Sequence, residues 1–222
     1  MRDALKSIIA RARARTQSTD WQRQLAEQEA EDRRREQEYH QGLCMRREAV
    51  FRRNLGPLCA DSERFSESQW TAIRRDIHIT LRRRPGAWVL LTGTKGTGKS
   101  VALVYEGLRA IRAGRTVAYV AGLGWSERYV DHRQVVSDLL DVDLLLLDEL
   151  NELASVTNPV RSMAHGVIDW RYRHRDTKQT LAAATKPLAF LEADPFPEGM
   201  VDRFEFRFGR KELESQRRKK ER

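Results

Sequence analysis

The chain has 222 residues, 40% hydrophobic and 33% charged, and its 41 Lys+Arg against 32 Asp+Glu give a formal net charge of +9. At about 150 residues per domain this allows one full core plus an extension, and the basic bias suits an anionic partner. No apolar run nears the roughly 18 residues of a membrane span, the first residues lack a secretory apolar segment, and Cys44 and Cys59 have no CxxC spacing for zinc, so a cytoplasmic protein with no membrane partner is expected.

Residues 1–60 read as a helical, charged, partner-binding arm. Leu5, Ile8, Ile9 and Ala12 fall at helical spacing. Thr19-Asp20-Trp21-Gln22 has the form of a capping box that starts a second helix. Along that helix Glu29 and Arg33, and Glu31 and Arg35, are pairs four apart in the favoured orientation. Only Trp21, Leu25, Tyr39 and Leu43 give it an apolar stripe, which is too thin to form a core and suits docking on a partner. Asn54-Leu55-Gly56-Pro57 should break the helix. Ser66-Glu67-Ser68-Gln69 is a second capping box, opening a helix with Trp70, Ile73, Ile77 and Leu81 on one face, and Pro85-Gly86 ends it.

From residue 86 the pattern changes to short apolar runs alternating with helical stretches, the sign of a parallel α/β sheet. The runs are Trp88–Leu91, Val117–Ala121, Leu144–Leu147 and Leu181–Ala184. Between the first run and a helix lies Gly93-Thr94-Lys95-Gly96-Thr97-Gly98-Lys99-Ser100, a full match to G-x-x-x-x-G-K-[ST]. Its glycines allow positive φ, so backbone N–H groups can turn inward around phosphates. Lys99 is a point charge for the β- and γ-phosphates, Ser100 offers a hydroxyl to Mg²⁺, and the following helix aims its positive end at the same anion. Gly93, Thr94, Lys95, Gly96, Thr97, Gly98, Lys99, Ser100 and Val101 are therefore the expected ATP-binding residues.

Four leucines, Leu144–Leu147, then run into Asp148-Glu149. Ligands gather at the carboxyl ends of buried parallel strands. Asp148 is expected to hold Mg²⁺ with Ser100, and Glu149 to orient and polarise an attacking water. Two acids rather than one favour ATP hydrolysis over simple phosphate binding. The ATPase core is expected over 61–208, with 209–222 as a basic tail. From Arg203 to Arg222 there are nine Lys/Arg against four Glu. That tail makes nucleic acid the expected polyanion, with Arg128, Arg133, Arg171, Arg173 and Arg175 as basic candidates in the core.

The ordered set of motifs resembles the AAA+ family, in particular its DnaC/IstB branch of helicase loaders and transposase helpers. The likeness is carried by GTKGTGKS at 93–100, Val142 to Leu150, Val167-Ile168-Asp169-Trp170-Arg171-Tyr172-Arg173, Thr180 to Thr185, and Met200-Val201-Asp202-Arg203. It implies an α/β P-loop NTPase fold of AAA+ ASCE type: a parallel sheet flanked by helices, lidless, with the N-terminal helical arm. It further implies that Thr185, where the family usually has Asn, acts as the polar sensor beside Asp148 and Glu149. Arg203 would reach a neighbouring subunit's ATP in trans, which requires ATP-dependent self-association; a structural salt bridge is the other reading of this arginine. Arg207 or Arg210 could sense nucleotide. The implied function is ATP-dependent loading of a replicative DnaB-type helicase onto single-stranded DNA, with an IstB-type ATPase acting on a transposase and target DNA as the alternative.

Overall fold

Strands that are apolar at every position need cover on both faces, and the fold supplies it. The computed structural model describes residues 2–16, 19–64, 72–122, 124–130, 134–186, 191, 201–204 and 206–208. Five strands form one sheet: β1 (Trp88–Thr92), β2 (Val117–Ala121), β3 (Leu144–Asp148), β4 (Gln179–Ala184) and β5 (Phe206–Phe208). Their order is β2-β3-β4-β1-β5 and every pairing is parallel. All four apolar runs read from the sequence are strands. The fifth strand is three residues of Phe-Arg-Phe, too short and too polar at its centre to stand out. It pairs with β1 through Val89 opposite Phe206 and Leu91 opposite Phe208.

Helices cover both faces. Trp88, Leu90, Leu145 and Leu147 pack on one side against α5 (Gly124–Val130), α6 (Gln134–Asp141) and α7 (Asn158–Arg173). Their neighbours in the pleat, Val89, Leu91, Leu144 and Leu146, pack on the other against α3 (Ala72–Arg83), α4 (Lys99–Arg112) and part of α2 (Thr19–Glu63). The four aliphatic leucines of β3 thus split two and two between the cores, with none more than 1% exposed. Among the described residues no helix is long and apolar enough to cross a membrane.

The chain divides into two compact units, Met1–Met45 and Arg46–Arg222. Phe51 and Cys59, inside the stretch read as arm, are buried members of the second unit's core. The break expected at Asn54–Pro57 is a kink: Leu55 leaves helical geometry at φ −126°, ψ 25°, and helix resumes through Pro57 to Glu63. Across the kink a four-membered charge cluster joins both parts of α2 to α4. Arg52 bonds Glu48 (2.7 Å) and Glu63 (2.5 Å), and Arg112 bonds the same two carboxylates at 2.8 and 2.7 Å.

In the first unit, α1 (Arg2–Thr16) and the first part of α2 are helical, and α2 begins at the Thr19 read as its cap. Both expected pairs form, Glu29 with Arg33 and Glu31 with Arg35. Trp21, Leu25 and Tyr39 are exposed, as are Leu5, Ile8 and Ile9. The second capping box, Ser66–Gln69, and the tail 209–222 lie outside the described residues.

Candidate nucleotide site

The parallel register sets the carboxyl ends of four strands along one edge: Thr92 opposite Ala184, Ala121 opposite Asp148, and Leu147 opposite Ala182. The phosphate loop leaves β1 at this edge and is tied to β4 by the Gly93 N–H, which donates to the Ala184 carbonyl at 3.2 Å. Gly96 and Gly98 have φ of 79° and 87°, a conformation that side chains resist. Gly98 is also the N-cap of α4, and no side chain caps that helix end. Its first-turn N–H groups therefore keep their donors for an anion. Thr94, Lys95 and Gly96 are exposed at the rim, Ser100 and Val101 half-buried, and Thr97 and Lys99 buried.

Lys99 Nζ donates to the carbonyls of Gly93 (2.8 Å) and Thr94 (2.9 Å), so the loop's own oxygens hold the ammonium. Burial pushes its pKa down, against the pull of Asp148 and Glu149, which raises it. That pull places both acids within electrostatic reach of the lysine. Asp148 is 5% exposed. Its Oδ2 accepts from the Tyr119 hydroxyl at 2.7 Å and its Oδ1 from the Glu149 N–H at 2.9 Å. Burial, then the Asp148 charge, drives the Tyr119 pKa up, so the phenol stays a donor.

Glu149 is the one non-glycine with positive φ among the described residues, at 51°. A left-handed conformation costs a side-chain-bearing residue about 1–2 kcal/mol, and such strain concentrates at functional sites. The turn that holds it, Leu150–Ala154, is 3₁₀. A Cβ on Gly122, at the end of β2, would lie 2.6 Å from the Glu149 carbonyl oxygen, so only glycine fits there.

Thr185, just past β4, is bound to this turn. Its N–H and its hydroxyl both donate to Asn151 Oδ1, at 2.8 and 3.0 Å. Asn151 and Tyr119 are the two residues the sequence reading missed. Asn151 stands two positions after Glu149, and Tyr119 lies in the strand that pairs with β3; neither spacing is a motif.

The structure brings together Lys99, Asp148, Glu149 and Thr185, and does not place Arg203 with them. Arg203 lies against α7, where Nη2 meets Asp169 Oδ1 at 2.5 Å and the guanidinium sits 5.2 Å from the Tyr172 ring centre. Arg173 takes the other Asp169 oxygen. Within this chain Arg203 therefore makes the salt bridge. Arg207 holds the short turn at Val201–Arg203 through the carbonyls of Val201 and Phe204 and the Asp202 carboxylate; Arg210 lies outside the described residues.

One DNA candidate is corrected. Arg171 is fully buried. Its Nη1 donates to the carbonyls of Leu139, Leu140 and Val142, and its Nη2 to that of Gln179. The end of α6 leaves carbonyls without helical partners, and this guanidinium satisfies them, so no phosphate can reach it. Burial lowers its pKa to about 10. Arg175 covers the Tyr172 ring at 4.6 Å, and Arg133 lies outside the described residues.

The donor set fits a magnesium nucleotide. Among the described residues no group of three or more His, Cys, Asp or Glu could cage a metal, and Mg²⁺ on a phosphate chain needs one or two protein ligands only. Ser100 and Asp148 are those the site offers.

No family model matches the sequence, and no curated protein matches it either. Solved structures do. A DNA replication initiation factor aligns with 61% of this chain and 44% of its own at 22% identity, TM-score 0.53. The replication initiator DnaA bound to AMPPCP and single-stranded DNA aligns with 66% of this chain and 49% of its own at 21% identity, TM-score 0.56. Domain III of the Thermotoga maritima initiator DnaA aligns with 66% and 69% at 18% identity, TM-score 0.51. The chain has the AAA+ P-loop NTPase fold. It spans less than half the length of the first two of these proteins, and at such identities the likeness is one of fold.

Proposed function

We propose that the chain is an ATP-dependent loader that places a replicative DnaB-type helicase onto single-stranded DNA in DNA replication. The observation that carries the ATPase part is the convergence of the phosphate loop, Asp148, Glu149 and Thr185 at one edge of the sheet. Loop N–H groups and the α4 N-terminus bind the phosphates, and Lys99 leaves the Gly93 and Thr94 carbonyls to neutralise their charge. Mg²⁺, when bound, supplies further charge neutralisation, with Ser100 and Asp148 as its protein ligands. Glu149, fixed by its left-handed backbone and the Gly122 contact, accepts the proton of the attacking water at its carboxylate.

Arg203 acts in trans in this reading, so it must exchange Asp169 for a neighbour's γ-phosphate, and ATP-dependent self-association follows. Single-stranded DNA as a ligand is supported by the net charge of +9 and by the fold shared with a DnaA that binds it. The helicase as partner rests on the sequence resemblance to the DnaC/IstB branch and on the exposed Trp21, Leu25 and Tyr39 of the arm. A cytoplasmic location belongs to the same proposal.

The test uses the full chain. Lys99→Ala should lose Mg-ATP binding, while Glu149→Gln should bind Mg-ATP and not turn it over; normal hydrolysis by Glu149→Gln removes that residue from its role. Pull-down should retain a DnaB-type helicase and lose it on Trp21→Ala with Leu25→Ala. Retention of a transposase and no helicase transfers the function to the IstB-type reading and leaves the ATPase chemistry standing.

A further inference from the structure

The contacts of Asn151 go beyond a bridge between two loops. It is 4% exposed and sits in the turn that carries Glu149. Its amide orientation is decided by chemistry: the Thr185 backbone N–H can only donate, so the atom 2.8 Å away must be the oxygen. Its Nδ2 accordingly faces a second acceptor, Glu152 Oε1, at 3.0 Å. The same Oδ1 has no hydrogen to give, so in the 3.0 Å contact with the Thr185 hydroxyl the threonine is the donor. That contact uses the one proton Thr185 Oγ1 has and leaves only lone pairs for anything else.

We propose that Asn151 is a positioning residue for hydrolysis: by taking the Thr185 hydroxyl proton, it makes Thr185 an acceptor for the attacking water. This inference rests on the ATPase reading above. A water between Glu149 and Thr185 gives one hydrogen to the Glu149 carboxylate and the other to Thr185 Oγ1. Its oxygen lone pair is then unblocked toward the γ-phosphorus. As the new O–P bond forms, the O–H bond to Glu149 breaks and its proton stays on the carboxylate. The bond from phosphorus to the bridging oxygen breaks with its electron pair, and ADP leaves. A threonine free to rotate could instead donate to that water and occupy the lone pair, or donate to the phosphate itself. The pair also accounts for a threonine at a position where the resembled family usually has Asn: the amide is present, one strand over, and acts through the hydroxyl.

The experiment is steady-state hydrolysis of Mg-ATP by the full chain and its variants, with ATP binding measured separately. Asn151→Ala and Thr185→Val should each lower kcat roughly tenfold, the loss of one oriented hydrogen bond. KM and ATP affinity should stay within about twofold, as for an interaction made only in the transition state. Thr185→Ser, which keeps the hydroxyl, should return kcat to near the parent's. The double variant should be no slower than Thr185→Val alone, because Asn151 acts only through that hydroxyl. Three results overturn the inference: Asn151→Ala at the parental kcat, a double variant that loses the product of both single losses, or a KM that rises while kcat holds. If Asn151→Ala does not fold, the threonine pair decides, and Thr185→Ser as slow as Thr185→Val overturns it. A parent that binds Mg-ATP and never hydrolyses it overturns both this inference and the ATPase reading; a parent that does, with Asn151→Ala equal to it, overturns this one alone.

Discussion

Replacing Arg171 by Met tests how the amino-terminal edge of the sheet, where β3 and β4 begin, is held. Methionine keeps most of the apolar stem and removes every donor. Four carbonyls then lose their partner, and two of those bonds, to Leu139 at 2.9 Å and to Gln179 at 2.6 Å, are buried. A buried polar group left without a partner costs about 1–3 kcal/mol. The carbonyls of Leu140 and Val142 are partly buried and regain water in part. Relief from burying the guanidinium offsets some of the loss, since burial already depresses its pKa to about 10. The balance is a destabilisation of about 3–5 kcal/mol, a large share of the ~5–15 kcal/mol that holds a domain folded. Guanidinium denaturation of parent and variant, compared by midpoint at equal slope, measures it. Arg171→Lys should recover little, because a point charge cannot reach the carbonyls the fork spans. A cost under about 1 kcal/mol refutes the reasoning, and so does a folded Arg171→Met whose DNA-binding salt slope falls by one phosphate contact.

Three further outcomes are expected. The Arg112 bond, against burial and with help from Arg52, holds the Glu48 pKa below the usual carboxylate value, and the Arg52 bond, then Arg112, holds Glu63 down at about 2. For a depressed carboxylate the contribution is complete above the unfolded value near 4.5 and is lost as pH falls toward 2. The denaturation midpoint should therefore fall from pH 5 to pH 2.5, and less steeply in Glu63→Gln; exposure and screening keep the difference modest, and identical slopes would remove the cluster from the acid response. Gly122→Ala should lower kcat for ATP by about 10- to 100-fold, because the new methyl meets the Glu149 carbonyl and Glu152 Cβ; a parental kcat would show that the turn yields freely. Deleting residues 215–222 should weaken single-stranded DNA binding and flatten its log-linear salt dependence, and an unchanged slope returns the tail to a solubilising role.

The phosphate loop, the acidic strand and all four apolar runs were legible in the chain because each is a local pattern. The loop needs glycine where φ is positive, and a strand covered on both faces needs apolar residues without alternation. Helical spacing likewise foretold the ion pairs at Glu29–Arg33 and Glu31–Arg35. What the sequence left open depends on partners distant along the chain. Arg171 and Arg173 are two arginines two residues apart; only packing against the ends of α6 and β4 buries the first and leaves the second on the surface. Phe51 and Cys59 read as arm until α4 and the sheet bury them. Arg203 reads equally as a charge acting in trans or as half of a salt bridge, and only the fold sets Asp169 against it. The Thr185–Asn151 bond joins the exits of two adjacent strands, and β5 is a strand only because β1 offers it an edge. Local patterning is written in residue type and spacing, whereas burial and hydrogen-bond partnership arise when the folded chain sets remote residues side by side.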